Sequence, residues 1–375
     1  MKEPQTVEIN AISDLSAEFD DIIDVRSPGE FAIDHLPGAV NFPVLSDAER
    51  AQVGTVNAEQ SSFDANRLGA ALVSGNISRL LSGPLATKSR QWRPLVYCWR
   101  GGNRSGSLAT VLARIGYRTQ VLDGGYRAYR RWVVQNLPIL VQGLDLRVIA
   151  GRTGSGKSRI LDALAERDAQ VLDLEALANH RGSVLGLLPG KSQPSQKQFE
   201  SRLREALAHL DRNKPVYVES ESRKIGQVQV PESLITQMRA SRCHVVNVPV
   251  AARAAFLMHD YDHFVRNPSH LIQQLERLRE RYGNEQLTAW AAKANGGEWN
   301  SLVEELLTTH YDPSYDRSMA RNYQNLGSAN QVYIDAIPKP GPKDFSLAAL
   351  AIQQSDKEPG NEADKISGKD SVNGH

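Results

Sequence analysis

Two short segments of the chain combine residue types that act on anions. One is a cysteine loop, Cys98-Trp-Arg-Gly-Gly-Asn-Arg-Ser105, and the other is a glycine-rich loop, Gly151-Arg-Thr-Gly-Ser-Gly-Lys-Ser158. A cysteine thiolate is a nucleophile, and convergent backbone amides bind the oxygens of phosphate groups. The two segments therefore predict thiol chemistry and phosphate binding within one chain.

The cysteine loop lies between a predicted strand and a predicted helix. Cys98 follows the apolar run 95–97, and a helix is expected from near Arg104. Loop amides and the positive end of that helix would stabilise an anion and lower the pKa of the thiol. We therefore predict Cys98 as the catalytic residue rather than a buried strand-end cysteine. The predicted binding residues of this loop are Arg100, Gly101, Gly102, Asn103 and Arg104.

The glycine-rich loop has the pattern of a P-loop, with a strand before it and a helix after it. Its glycines let successive amides face a diphosphate, Lys157 neutralises charge, and Ser158 would bind Mg²⁺ if this ion is present. Apart from the carboxylates discussed next, no other metal ligand is predicted, and we expect no tightly bound cofactor. The predicted phosphate-binding residues are Gly151, Thr153, Gly154, Ser155, Gly156, Lys157 and Ser158.

Further candidates follow later strands of the same predicted sheet. Asp173 and Glu175 follow the apolar run 170–172, and Glu219 and Glu221 follow the run 216–218, at strand ends where open parallel sheets place their ligands. These carboxylates could hold Mg²⁺ or act on water, and they could equally cap helices or pair with arginines. Arg253, at the start of a later helix, is a candidate to reach a bound phosphate.

Composition restricts the location and the partners of the protein. The formal net charge is +1, so a polyanion would have to meet a local basic patch. Two cysteines do not form a secreted disulfide framework, and no stretch of the sequence has the length and apolarity of a membrane span. We therefore expect a soluble cytoplasmic protein.

Short apolar runs alternate with helical stretches along the chain, which predicts the α/β class with parallel sheets. We place a first domain at 1–138 and a second, P-loop domain at 139–350. A helical part is expected at about 251–325 of the second domain. The polar residues 355–375 are expected to form a disordered tail.

The first domain resembles the rhodanese domain in the order and spacing of its motifs. The matching segments are Ile23-Asp-Val-Arg-Ser-Pro-Gly-Glu-Phe31, Asp34-His-Leu-Pro-Gly-Ala-Val-Asn-Phe-Pro43 and Val121-Leu-Asp-Gly-Gly-Tyr126. The resemblance implies that Cys98 carries sulfur or selenium as a persulfide-type adduct. The Cys-x5-Arg spacing to Arg104 is also that of related phosphatases, in which arginine binds phosphate bidentately. Spacing alone leaves sulfur transfer and phosphate ester hydrolysis both open.

From about residue 5 to residue 335, the chain resembles the tRNA 2-selenouridine synthase family. A rhodanese-like domain precedes a P-loop domain that contains Leu172-Asp-Leu-Glu-Ala-Leu-Ala-Asn-His-Arg-Gly-Ser183, Glu219-Ser-Glu-Ser-Arg-Lys-Ile-Gly226 and His310-Tyr-Asp-Pro-Ser-Tyr315. The resemblance implies a transferase acting on the wobble uridine of tRNAs for Lys, Glu and Gln. It would replace the sulfur of 2-thiouridine with selenium from selenophosphate, through S-geranylation by geranyl diphosphate. An enzyme that produces selenophosphate is a further partner implied by this resemblance.

Two alternatives come from other functional classes. The first is a bifunctional protein with a Cys-x5-Arg phosphatase and a P-loop kinase. The second is a sulfur-relay adaptor that transfers sulfur to a protein partner and uses its P-loop as a nucleotide switch.

Overall fold

The structure is a computed structural model, and it describes residues 3–12, 15–182, 186, 190, 192–335 and 345–357. The first domain is a parallel five-stranded sheet with the strand order β1-β5-β4-β2-β3, with helices packed on it. Its strands are β1 (Gln5–Val7), β2 (Asp21–Asp24), β3 (Ala39–Asn41), β4 (Pro94–Tyr97) and β5 (Gln120–Leu122). Its helices are α1 (Leu15–Glu18), α2 (Pro28–Ile33), α3 (Asp47–Glu59), α4 (Ser62–Ser82), α5 (Asn103–Ile115) and α6 (Gly125–Val141).

The second domain contains another parallel five-stranded sheet, with the order β12-β11-β6-β8-β7, and a small antiparallel pair of β9 and β10. Its strands are β6 (Leu146–Gly151), β7 (Gln170–Leu172), β8 (Val216–Glu219), β9 (Lys224–Ile225), β10 (Val228–Gln229), β11 (Arg242–Asn247) and β12 (Asn330–Tyr333). The helices among them are α7 (Lys157–Ala165), α8 (Leu174–Ala178), α9 (Gln196–Ala208) and α10 (Glu232–Ala240). The predicted α/β class with parallel sheets is confirmed.

A mostly helical part lies between β11 and β12. Its helices are α11 (Val250–Asp260), α12 (Asp262–Arg266), α13 (Pro268–Leu275), α14 (Arg279–Asn295), α15 (Trp299–Leu306) and α16 (Asp312–Asn322), and α17 (Ser346–Lys357) follows β12. A π-helical turn, Leu307–Tyr311, joins α15 to α16. The helical part has its own apolar core around the buried Trp290. None of the described helices is long and apolar enough to cross a membrane.

The last helix of the first domain is longer than the sequence predicts. The sequence predicts that this helix ends near Asn136 and that Leu137, Pro138 and Gly143 mark a junction, but α6 continues to Val141. The reason is that Val133, Leu137 and Val141 are spaced at i, i+4 and i+8 and bury one face of the helix. The link between the domains therefore lies at 142–145, where Gly143 has a φ of 75°.

The start of the predicted disordered tail is also corrected. Ser355, Asp356 and Lys357 belong to α17. The carboxylate of Asp356 accepts hydrogen bonds from Tyr217 at 2.8 Å and from Arg147 at 3.1 Å, and these bonds hold the end of the helix on the sheet. The rest of the predicted tail lies outside the described residues.

The two domains share one continuous apolar core. Helix α6 packs against α9, so that Tyr129 and Val133 join Phe199 and Leu203 in a single cluster. At the edge of this contact the buried Asp34 accepts hydrogen bonds from Tyr126 of the first domain and from Ser201 of the second. The two loops are thus built on one packed body.

Candidate active site

The cysteine loop connects the end of β4 to the start of α5. A left-handed Gly101, with a φ of 68°, turns the chain so that the loop closes around the sulfur. Gly125 packs directly beneath the loop, since a Cβ atom there would lie 2.3 Å from the Cys98 carbonyl oxygen and 2.5 Å from the Gly101 nitrogen. Gly125, the first residue of α6, therefore allows the close approach of backbone that forms the floor of this site.

The thiol of Cys98 lies in an environment that favours the thiolate. Burial by itself raises its pKa, but hydrogen bonds from the Ser105 hydroxyl and amide, and from the amides of Arg100 and Gly102, outweigh burial. The pKa of Cys98 is therefore below its usual value. The Ser105 oxygen lies 3.2 Å from the sulfur. This geometry agrees with a nucleophilic or anion-binding role for Cys98.

The charged side chains of this loop do not converge on the sulfur. Arg104 donates to the carboxylate of Glu30, with an Nη1 to Oε2 distance of 2.8 Å. Arg100 is exposed to solvent, and Asn103 is the first residue of α5. Anion binding at the predicted loop residues therefore depends on the backbone amides and on the helix N-terminus.

The P-loop runs from β6 into α7, as predicted. Gly154 and Gly156 have φ values of 82° and 77°, which directs the successive amides of the loop into one pocket. The ammonium group of Lys157 donates to the Gly151 carbonyl at 2.9 Å, and Ser158 donates to Glu175 at 2.8 Å.

Of the remaining predicted P-loop residues, one lines this pocket and one is buried. Thr153 lines the P-loop pocket, which is open to solvent. Ser155 is buried, and its hydroxyl has no hydrogen-bond partner among the described residues.

Arg253 supports the P-loop from behind. Its guanidinium donates to the Thr153 carbonyl at 3.0 Å and pairs bidentately with Asp312 at 2.7 and 2.8 Å. The side chain is 2% exposed. The structure therefore places the predicted phosphate-reaching arginine where it connects the loop to α16.

The predicted carboxylates serve different purposes. Asp173 caps α8 by accepting from the Ala176 amide at 2.7 Å, and Glu219 accepts from the Glu175 amide at 2.9 Å. Glu221 lines the P-loop pocket, where burial and then the charge of Glu175 raise its pKa to about 8. Of these three, Glu221 is the carboxylate best placed to exchange a proton within the pocket.

Further residues surround the pocket. Tyr315 of α16 and Glu175 of α8 face the P-loop, and His180 lines the same pocket with a buried Nδ1 that has no partner among the described atoms. Phe345 packs under Gly156. Glu175 was a candidate from its position after a strand, and Tyr315 and His180 lie in segments that carry the family resemblance, whereas Phe345 had no signal in the sequence.

The structure keeps the two loops apart. Within the described part of the chain, no residue of the cysteine loop lines the P-loop pocket, and no three His, Cys, Asp or Glu side chains are arranged to hold a metal ion. The Ser158 hydroxyl and the Glu175 carboxylate lie beside the P-loop and are oxygen ligands of the kind that Mg²⁺ binds. Helix α9 of the second domain contacts the cysteine loop, because Lys197 lies 5.9 Å from the ring centre of Trp99.

Comparison with known proteins supports both halves of this description. A model of the rhodanese-like domain matches residues 10–131, and a model of the tRNA 2-selenouridine synthase AAA domain matches residues 144–333. The chain is 38% identical to the tRNA 2-selenouridine synthase of Nitrosomonas europaea, over 72% of this chain and 70% of that protein. The synthase of Marinobacter nauticus is 32% identical, over 80% and 88% of the two chains, and that of Aeromonas salmonicida is 36% identical, over 81% and 89%. The chain therefore belongs to the tRNA 2-selenouridine synthase family.

Proposed function

We propose that this protein is a tRNA-modifying transferase that exchanges the sulfur of 2-thiouridine for selenium at the wobble position. The names of its relatives support a tRNA substrate. Geranyl diphosphate would alkylate the sulfur, and selenophosphate would then supply the selenium. The tRNAs for Lys, Glu and Gln are the proposed isoacceptors.

One observation carries the proposal: two anion-binding loops of different chemistry are built on a single packed core. The P-loop presents amides and Lys157 to a diphosphate, whereas the cysteine loop presents amides around a stabilised thiolate. A reaction with two phosphorus-containing co-substrates, one a leaving diphosphate and one a selenium donor, needs both kinds of site.

In the first step the thiocarbonyl sulfur would attack C1 of the geranyl group. The bond from C1 to the diphosphate oxygen breaks, and the diphosphate leaves with the electron pair. The P-loop amides and Lys157 stabilise the charge that develops on this leaving group. The uridine N3 proton is lost as the S-alkyl product forms. Glu221 lies in the same pocket, and its ionised form, which becomes populated as the pH approaches its pKa of about 8, would accept that proton.

In the second step the selenium of selenophosphate would attack C2 of the S-geranyl uridine. Alkylation makes C2 electrophilic and converts a poor leaving group into geranyl thiolate, which departs with the electron pair of the C2–S bond. Water would then attack phosphorus and break the Se–P bond, which releases phosphate and leaves the selenium on C2. Cys98 and the amide cradle around it would bind selenophosphate, because the amides that stabilise the thiolate also stabilise this anion.

The position of Arg104 argues against the phosphatase alternative. A phosphatase of the Cys-x5-Arg type needs the guanidinium at the phosphate, whereas here it is paired with Glu30. Hydrolysis of an aryl phosphate that depended on Cys98 would restore that alternative. Transfer of sulfur to a protein partner, without modification of tRNA, would favour the relay adaptor.

The test is mass spectrometry of nucleosides from 2-thiouridine tRNA incubated with the protein. With geranyl diphosphate alone we expect the S-geranyl nucleoside, and with selenophosphate added we expect 2-selenouridine. Unmodified tRNA throughout, with protein shown to be folded, would contradict the proposal.

Two variants separate the roles of the loops. Lys157→Ala is expected to abolish geranyl transfer, whereas Cys98→Ser is expected to keep geranyl transfer and lose selenation. The exposed Lys214 provides a matched control, and Lys214→Ala should behave as wild type. Normal selenation by Cys98→Ser would remove the proposed role of this thiol.

A further inference from the structure

A second pocket, lined by apolar side chains, opens in the helical part beside the P-loop. Its walls come from α11, α12, α13, α15 and the π-helical turn, and they include Leu257, Met258, Phe264, Trp299, Val303 and Leu306. The volume that the centre of a water molecule can occupy in this pocket is about 70 Å³, and the pocket is open to solvent at its mouth. Phe264 and Leu306 are buried, whereas Val265 stands at the mouth and is 37% exposed.

This apolar pocket adjoins the P-loop pocket. Thr153, Leu257, Tyr261 and Tyr311 line both of them. Leu257 rests directly on the P-loop, because a Cβ atom on Gly154 would lie 2.9 Å from its Cδ1 atom. The part of a ligand that lies next to its phosphates in the P-loop would therefore be close to the apolar pocket.

The chemistry of the lining changes with distance from the P-loop. Among the described residues that line the apolar pocket, the polar groups are those of Thr153, Tyr261 and Trp299, together with Tyr311, and none is charged. Beyond Leu257 the walls are formed by branched aliphatic, methionine and aromatic side chains. Such a surface desolvates a charged or strongly polar group without compensation, whereas it stabilises a hydrocarbon by excluding water.

We propose that this pocket binds the hydrocarbon chain of the diphosphate donor. The inference rests on the function proposed above and adds the place where the chain lies, between α11 and α15. In this arrangement the P-loop holds the diphosphate and Leu257 contacts the first carbons of the chain. The pocket then selects donors by chain length, since each buried methylene increases affinity by roughly fourfold.

The experiment compares three ligands that share a diphosphate group. Geranyl diphosphate, dimethylallyl diphosphate with five fewer carbons, and inorganic pyrophosphate are each titrated into the full chain by calorimetry. We expect geranyl diphosphate to bind between about 10- and 1,000-fold more tightly than dimethylallyl diphosphate. Val303→Asp should abolish this preference and leave the affinity for pyrophosphate unchanged.

A matched control lies on the same helix. Asn300 is exposed on α15, and Asn300→Asp introduces the same side chain outside the pocket, so it should keep the preference for the longer chain. If Val303→Asp does not fold, Val265→Asp places the charge at the exposed mouth, where the fold tolerates it, and should also remove the preference.

The outcomes separate this inference from the proposed function. Pyrophosphate binding without any chain preference in the wild-type protein would overturn the pocket assignment alone. A preference that survives in both Val303→Asp and Val265→Asp would also overturn it. Failure of pyrophosphate and geranyl diphosphate alike to bind would overturn the diphosphate assignment of the P-loop as well.

Discussion

The hydroxyl of Tyr315 accepts a hydrogen bond of 2.6 Å from the backbone amide of Gly151, the first residue of the P-loop. The same oxygen lies 3.0 Å from the hydroxyl of Ser220 at the end of β8, and the ammonium of Lys157 lies 5.7 Å from the centre of the tyrosine ring. Helix α16 therefore fixes the start of the loop and forms one wall of its pocket.

Removing this hydroxyl should weaken the fold around the P-loop. Tyr315→Phe leaves the partly buried Gly151 amide without its acceptor, which is expected to lower the free energy of unfolding by about 1–3 kcal/mol. Denaturant unfolding monitors this loss. Tyr333 is 73% exposed, so Tyr333→Phe is a matched control that should have little effect. Equal stabilities of the two variants would contradict the anchoring role of Tyr315.

Ser105 should control the reactivity of Cys98. Its hydroxyl and amide are the hydrogen-bond donors that contribute most to the lowered pKa of the thiol. In Ser105→Ala the hydroxyl contribution is lost, so the apparent pKa of Cys98 should rise and alkylation by iodoacetamide at pH 7 should slow. The pH profile of the alkylation rate, read by peptide mass spectrometry, measures the shift.

Two controls accompany this measurement. Ser107→Ala removes an exposed hydroxyl from the same helix and should leave the profile unchanged. Cys243 serves as an internal reference, because it is buried and burial raises its pKa to about 11, so it should stay unlabelled in the folded protein. A profile that Ser105→Ala does not move would refute the assigned cause of the thiol shift.

The stability of the protein should depend on pH through Glu221. Burial and the charge of Glu175 raise the pKa of this carboxyl from 4.5 to about 8. Between about pH 4.5 and pH 8 the carboxyl is therefore protonated in the folded chain and ionised in the unfolded chain. The stability contributed by this site decreases as the pH rises through that range.

Replacing the carboxyl removes this dependence. Glu221→Gln should raise Tm, relative to wild type, by several degrees more at pH 8.5 than at pH 5. Thermal unfolding at the two pH values measures the difference. The carboxyl of Glu232 is 61% exposed, and Glu232→Gln should give the same difference from wild type at both pH values. A Tm difference for Glu221→Gln that does not change with pH would show that this carboxyl is ionised in the folded state.

No side chain should be tolerated at position 125, because Gly125 packs directly against the cysteine loop. In Gly125→Ala the new Cβ would meet backbone atoms of Cys98 and Gly101, and its φ of 56° is unfavourable for alanine. We expect a loss of stability of about 2–4 kcal/mol together with loss of the rapid thiol reaction. Unfolding and thiol-labelling assays provide the two measurements.

Gly106 supplies the comparison for this variant. It lies within α5, where an added Cβ meets nothing within 4 Å, so Gly106→Ala should be neutral or stabilising by about 0.5–1 kcal/mol. A similar loss of stability in the two variants would show that packing under Cys98 does not cause the destabilisation by Gly125→Ala.

Some of these features follow from local sequence. The P-loop and the cysteine loop each consist of a strand end, a glycine turn and a helix start, and these three signals are carried by neighbouring residues. The positions of β7 and β8 were predicted for the same reason, since short apolar runs mark them. The sequence by itself therefore determined the class of the fold, the positions of the cysteine loop and the P-loop, and the family.

Only the tertiary structure decided which side chains contact those loops. The pairing of Arg104 with Glu30, the bond of Tyr315 to the P-loop, and the position of Leu257 on Gly154 join residues that are distant along the chain. Local signals do not encode such contacts, because they depend on how helices pack on the sheets. The continuation of α6 through Pro138 has the same origin, since burial of its apolar face outweighs the local preference to end the helix.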